Sequence, residues 1–163
     1  MPPMRLYLVR HGLALTKDEN PDRPLSDQGQ KDVKRMASFL GRAGVRVSRV
    51  IHSEILRAQQ TAMHLSAVIG PGRIIEEMRD LKPSSRLDSL VQAASGWTED
   101  TMVVGHDPFM SRITSFFTAG DANAGVIAFD PGAVVCLERD PIITENGGHW
   151  TILWHMSPVL LSA

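Results

Sequence analysis

The chain has 163 residues, 43% of them apolar and 21% charged, which is the balance of one soluble globular domain spanning 1–163 and not of a disordered, fibrous or membrane-embedded protein. Seventeen basic against eighteen acidic side chains leave a formal charge of −1, which excludes the broad basic surface of a general nucleic-acid binder but not a small cationic pocket. Cys136 is the single cysteine, so no disulfide can form within the chain, as suits a reducing compartment. No stretch approaches the roughly 20 apolar residues of a membrane span, and Met1 to Arg5 lead into a strand-like run without the apolar centre of a signal peptide. The expectations are a cytoplasmic protein with no membrane and no nucleic-acid partner.

In chain order, Leu6-Tyr7-Leu8-Val9 is a short continuous apolar run, the signature of a strand buried on both faces, and it stops at Arg10-His11-Gly12. A polar stretch from Lys17 to Pro24 follows. Ser26 reads as a helix N-cap, with Val33, Met36, Ala37 and Leu40 at helical spacing and Gly41 and Gly44 as stops. Val47, Val50 and Ile51 mark a second strand ending at His52-Ser53. A helix is predicted from Glu54 to Ile69, ended by Gly70-Pro71-Gly72, and a third strand from Arg73 to Met78. Leu81-Lys82-Pro83 is a loop, and Leu87 to Ala94 a helix. Thr101 to Val104 is another buried-type strand, running into Gly105-His106-Asp107-Pro108, and a helix passes through Met110, Ile113 and Phe117. Val126 to Phe129, Ala133 to Glu138 and Trp150 to Trp154 then read as strands joined at Asp130-Pro131-Gly132 and Asn146-Gly147-Gly148. Alternating strands and helices followed by hairpin strands imply a three-layer α/β/α sandwich with a mainly parallel central sheet and a mixed, antiparallel edge.

If the sheet is parallel, three strand ends deliver reactive groups to one side, where ligands bind in open α/β sheets. The first brings Arg10 and His11, the second Ser53 and, one helical turn later, Arg57, and the fourth His106. Two guanidiniums and two imidazoles suit a phosphoryl group. Arginine clamps phosphate oxygens through parallel hydrogen bonds and keeps its charge, and fixed cationic donors match the charge spread over the equatorial oxygens in phosphoryl transfer. Arg57 near a helix start adds backbone N–H groups and the positive helix end. A histidine nucleophile must be neutral. Arg10 and Arg57 disfavour its imidazolium, and a backbone carbonyl in the turn near Gly12 would fix its tautomer.

With these segments in place the sequence resembles the histidine phosphatase superfamily, and within it the SixA-type phosphohistidine phosphatases. The resemblance is carried by Leu8-Val9-Arg10-His11-Gly12, by Arg23-Pro24-Leu25-Ser26 with Gly29, and by Ser53 to Ala62. It continues through Leu81-Lys82-Pro83 and Val104-Gly105-His106-Asp107-Pro108 to Met156-Ser157-Pro158. It implies the phosphoglycerate-mutase-like fold, His11 as the residue that becomes phosphohistidine, and Arg10, Arg57 and His106 as holders of the phosphoryl oxygens. Arg23 would be a further phosphate contact at the pocket rim or else a surface loop arginine. It further implies a metal-independent hydrolase with no cofactor, acting in signal transduction on a phosphohistidine-containing phosphorelay or phosphotransfer protein. A monomer is expected, although nothing in the sequence fixes the oligomeric state.

Larger members of the superfamily protonate the leaving oxygen with a carboxylic acid. Around Leu81-Lys82-Pro83 no equivalent stands out, although Glu76, Glu77 and Asp80 lie just upstream. Asp107 directly follows His106 and is either an acid or a cap on the next helix, with the cap favoured. An alkoxide needs a positioned acid, whereas imidazole, which titrates near pH ~6.5, is a far better leaving group. A pocket without an acid therefore suits phosphohistidine. Two alternatives remain at this point: a small-molecule phosphomonoesterase with Asp107 as general acid, and a non-catalytic phosphohistidine-binding module. His52, His64, His149 and His155 read as structural or exposed, and no Cys/His spacing suggests a metal site.

Overall fold

The computed structural model describes residues 3–70, 74–141 and 149–161. Its elements are β1 (Arg5–Arg10), α1 (Asp27–Arg42), β2 (Arg49–His52), α2 (Leu56–Ile69), β3 (Ile74–Glu77), α3 (Asp88–Ser95), β4 (Thr101–Gly105), α4 (Phe109–Ala119), β5 (Val134–Arg139) and β6 (Trp150–Met156), followed by a 3₁₀ turn over Pro158–Leu161. The strands form one six-stranded sheet in the order β3-β2-β4-β1-β5-β6. The first four neighbours are parallel, and β5 and β6 add an antiparallel edge.

Successive residues of a strand point to opposite faces, and the apolar runs of β1, β4 and β5 supply both. Tyr7, Val9, Met102, Val104, Val134 and Cys136 pack under α1 and α2. Leu6, Leu8, Val103, Val135 and Leu137 pack under α3 and α4. Right-handed crossovers explain the layering. From β1 through β2 to β3 the chain moves toward one edge and lays α1 and α2 on one face. It then turns back to β4, which puts α3 on the other. The chain therefore leaves the adjacent strands β1 and β4 for opposite layers, and this switch opens a crevice at their carboxyl ends.

Ser26 is the N-cap of α1, its Oγ accepting the N–H of Gly29 at 3.0 Å. The helix passes through Gly41 and stops after Arg42, with Gly44 in the left-handed region at φ 80°. Helix α2 begins at Leu56 and not at Glu54, because Ile55, in extended conformation, is its cap. The predicted strand over Val126–Phe129 does not form. The segment runs outside the sheet with side-chain partners, the Val126 N–H donating to Ser115 Oγ (3.1 Å) and the Phe129 carbonyl accepting from Arg10 Nη1 (2.7 Å). Ile127 and Phe129 still bury against the α3–α4 side, so the apolar run is real although its backbone is not in the ladder. The turn predicted at Asn146-Gly147-Gly148 lies outside the described residues.

Strand β6 shows a device that alternation alone hides. Cys136 pairs with Trp154 but Leu137 pairs with Ile152, so Leu153 is an extra residue. A one-residue bulge reverses the facing of everything beyond it. Trp150 and Ile152 accordingly pack on the α3–α4 side, and Trp154 and Met156 on the α1–α2 side.

The tightest approach in the fold joins α1 to the loop after β1. A Cβ on Gly29 would stand 1.9 Å from the Leu13 carbonyl oxygen, a backbone atom that cannot swing aside. Gly29→Ala is therefore expected to lower stability by about 1–3 kcal/mol despite alanine's better helix propensity. Urea unfolding checks this, and a variant as stable as the parent refutes it.

Candidate active site

The crevice is built from backbone outward. The His11 N–H donates to the Gly105 carbonyl (2.9 Å), and the Ser53 N–H to that of Val104 (3.0 Å), so the ends of β1, β2 and β4 are tied together one residue past the strands. The Asp130-Pro131-Gly132 turn closes the other side. The Gly132 N–H lies 3.0 Å from the carbonyl oxygens of both Arg10 and His11, and Gly132 takes a φ of 79° that favours glycine. Ser157 Oγ donates to Asp130 Oδ2 at 2.7 Å, which pins that turn from the C-terminal Met156-Ser157-Pro158 segment.

His11 is 9% exposed, and its environment defines its chemistry. Nδ1 lies 2.7 Å from the Gly12 carbonyl oxygen. A carbonyl can only accept, so Nδ1 carries the hydrogen of the neutral ring. Nε2 is left as a lone pair, and Arg57 Nε donates to it at 3.3 Å. Gly12 makes this turn feasible, since a Cβ there would lie 2.6 Å from Val33 Cγ2. The Gly12 N–H donates to Thr61 Oγ1 (3.0 Å), and that hydroxyl donates to the Arg57 carbonyl (2.8 Å). The β1 loop and the start of α2 are thus one unit.

His106 is fully buried, its ring 5.0 Å from that of His11. Its Nε2 lies 2.9 Å from Ser53 Oγ, and its Nδ1 has no hydrogen-bond partner among the described residues. Arg10 donates Nη1 to Phe129, while its buried Nε is likewise unpartnered. Arg23 sits on the loop between β1 and α1, its Nε bonded to the Leu15 carbonyl at 2.9 Å and its backbone at φ 47°, an uncommon conformation for a non-glycine residue. Its charge is felt by His11, His106 and Arg57 alike, so it belongs to the same cluster.

Burial is the main force on both imidazoles. It pushes His11 down from the ordinary 6.5 to about 4, with Arg57, Arg10 and Arg23 adding to the effect and the Gly12 hydrogen bond opposing it. His106 is pushed down to about 3 by burial first, then by His11 and the three arginines. The arginines named from sequence thus act in the expected direction, but desolvation outweighs them.

His11, Arg10, Arg57, His106 and Arg23 therefore converge. Asp107 does not join them as a free acid: its Oδ1 accepts from the Ser111 N–H (3.0 Å) and the Ser111 hydroxyl (2.8 Å) in the first turn of α4. Of the upstream carboxylates, Glu76 lies near Arg49 (3.9 Å) and Asp80 accepts from Ser89 Oγ (3.0 Å). Sequence reasoning passed over Glu54, beside Ser53, whose Oε1 pairs with Lys82 Nζ at 3.2 Å and whose buried Oε2 has no partner among the described residues. It also missed the supporting hydroxyls of Thr61 and Ser157. His52 is a buried structural histidine, its Nδ1 2.8 Å from the Ser53 carbonyl oxygen. Among the described residues no cluster of His, Cys, Asp and Glu could hold a metal ion, and no helix is long and apolar enough to cross a membrane.

The model of the histidine phosphatase superfamily (branch 1) matches residues 6–83, which include Arg10, His11, Arg23 and Arg57. Over those residues the chain is similar to the histidine phosphatase superfamily. It is 24% identical over 160 residues to the phosphohistidine phosphatase SixA of Escherichia coli (strain K12), covering 95% of this chain and 94% of that protein. An uncharacterized protein of Picosynechococcus is 29% identical over 145 residues, or 80% of this chain and 87% of the other. The solved structure of the protein histidine phosphatase SixA complexed with tungstate superposes with a TM-score of 0.82 at 24% identity, covering 98% of this chain and 100% of that one, which establishes the shared fold.

Because both histidines bind protons less readily folded than unfolded, the unfolded chain holds more protons between about pH 6.5 and pH 3. Stability therefore rises with pH across that window and is lost as pH falls below about 6.5. In phosphate-free buffer the urea midpoint of the wild type should drop from pH 7 to pH 5, and the drop should be shallower in His11→Asn/His106→Asn. Equal slopes would refute the depressed values.

Proposed function

We propose that the protein is a phosphohistidine phosphatase that removes phosphate from a phosphorylated histidine of a phosphorelay or phosphotransfer protein. The observation that carries this reading is the state of His11, a neutral imidazole locked through Nδ1 to the Gly12 carbonyl, with its Nε2 lone pair beside Arg57. A depressed pKa keeps that lone pair available throughout the neutral range.

The chemistry follows from the groups present. Nε2 of His11 attacks phosphorus in line, the P–N bond to the substrate imidazole breaks, and that imidazole leaves, taking a proton from solvent. Water then attacks phosphorus, the His11 P–N bond breaks, and phosphate departs. Arg10, Arg57, Arg23 and the His106 N–H hold the phosphoryl oxygens while charge spreads over them. Three guanidiniums supply the positive charge, so no metal is required and a chelator should leave the rate unchanged. The similarity to SixA supports the choice of substrate, as does the engagement of Asp107 with Ser111. An imidazole leaving group has no need of the acid that an alkoxide needs.

Incubation with a protein carrying phosphohistidine should release inorganic phosphate, and His11→Ala should lower the rate by at least about 10³-fold. Wild-type turnover in that variant would sink the mechanism. Asp107→Ala separates the acid reading from the cap reading. It should cost about 0.5–2 kcal/mol of stability through the lost cap while the rate on phosphohistidine stays within about threefold, a bound well short of what loss of a general acid produces. A large, selective loss on alkyl phosphates would instead favour a small-molecule phosphomonoesterase.

A further inference from the structure

His106 has one ring hydrogen to place on two nitrogens, since burial keeps the ring neutral. Nε2 lies 2.9 Å from Ser53 Oγ, and Nδ1 is buried with no partner among the described residues. Ser53 is fully buried, and its hydroxyl oxygen already accepts the Ile55 N–H at 3.1 Å. Its own backbone is clamped on both sides, the N–H donating to Val104 (3.0 Å) and the carbonyl accepting from His52 Nδ1 (2.8 Å). The hydroxyl is therefore presented to His106 from a fixed position.

Two proton arrangements satisfy the 2.9 Å contact. If His106 carries its hydrogen on Nε2, that N–H donates to Ser53 Oγ. The serine hydrogen then has no acceptor, and the Nδ1 lone pair has no donor, so two buried polar groups stand unpaired. If the hydrogen is on Nδ1, the serine hydroxyl donates to Nε2 and only the Nδ1–H stands unpaired. Buried groups are paired wherever they can be, which selects the second arrangement. It also matches an anion: the one remaining group is a donor, whereas the alternative would present a lone pair to phosphoryl oxygen.

We infer that Ser53 is a positioning residue whose hydroxyl holds His106 in the Nδ1–H tautomer, so that the ring donates a neutral hydrogen bond to the phosphoryl group. The inference rests on the reading of this pocket as a phosphoryl site, and it assigns the serine a role distinct from that of the nucleophile. Through Ser53 the end of β2 sets the proton position on the end of β4.

Long-range proton–nitrogen NMR on protein labelled with ¹⁵N-histidine reads the tautomer directly, with His106→Asn used to assign the signal. The wild type at pH 7 should show His106 as Nδ1–H, and a wild type in the Nε2–H form overturns the inference without any variant. Ser53→Ala should move the population toward Nε2–H and weaken tungstate binding by about tenfold or more, the scale of one charge-assisted hydrogen bond. A Ser53→Ala protein that keeps Nδ1–H, or binds tungstate as the wild type does, also overturns it. Failure of the wild type to bind tungstate would count against the phosphoryl-site reading itself, while the tautomer measured in the wild type would still decide the role of Ser53.

Discussion

The hydrogen bond from His11 Nδ1 to the carbonyl of Gly12, 2.7 Å long, is the constraint on which the remainder of the site depends. It fixes the ring's rotation and its tautomer together, and so decides which nitrogen is a base. It is made at a residue whose missing side chain leaves room for α1, since a Cβ there would stand 2.6 Å from Val33 Cγ2. The same glycine is gripped by Thr61 through its N–H and crowded by Val33 on α1. Strand β1, helix α1 and helix α2 therefore meet on one backbone position, and a shift of any of them would move the His11 ring.

Around that point the fold gathers positive groups without neutralising them. Among the described residues no carboxylate pairs with Arg10, Arg23 or Arg57. Desolvation forces both histidines to stay neutral, which removes two further charges from the cluster. The arrangement disfavours the empty pocket, and strands with apolar side chains on both faces offset that cost. An oxyanion entering the pocket would supply the missing countercharge and accept from the two unpartnered nitrogens, His106 Nδ1 and Arg10 Nε. Binding to the native state alone then stabilises the fold.

Much of this was legible in the sequence because it depends on local pattern. Continuous apolar runs gave the buried strands, Ser26 gave the start of α1, and the polar residues at three strand ends gave the cluster. What pattern cannot convey is pairing at a distance. The apolar run Val126–Phe129 buries like a strand, yet its carbonyl at Phe129 is taken by a guanidinium 119 residues away in sequence. The Leu153 bulge leaves alternation in β6 intact in the sequence while reversing its faces in space. The hydroxyls of Thr61 and Ser157 look like ordinary small polar residues until the segments they brace are brought together. The weight of desolvation against arginine repulsion at His11 depends on burial depth, which no motif states.

Two carboxylates stand next to site residues in the sequence, Glu54 beside Ser53 and Asp107 beside His106. Asp107 stands next to His106 in sequence, where an acid would serve a poor leaving group, but its oxygen is spent on the Ser111 amide and hydroxyl. Both bonds fall on Oδ1 and lie in the first turn of α4, the element that directly follows His106. In this structure the side chain holds that turn through Ser111. If the pocket takes phosphoryl groups as proposed, an aspartate engaged in this way would suit donors whose leaving group needs no help, and a phosphorylated imidazole is such a donor.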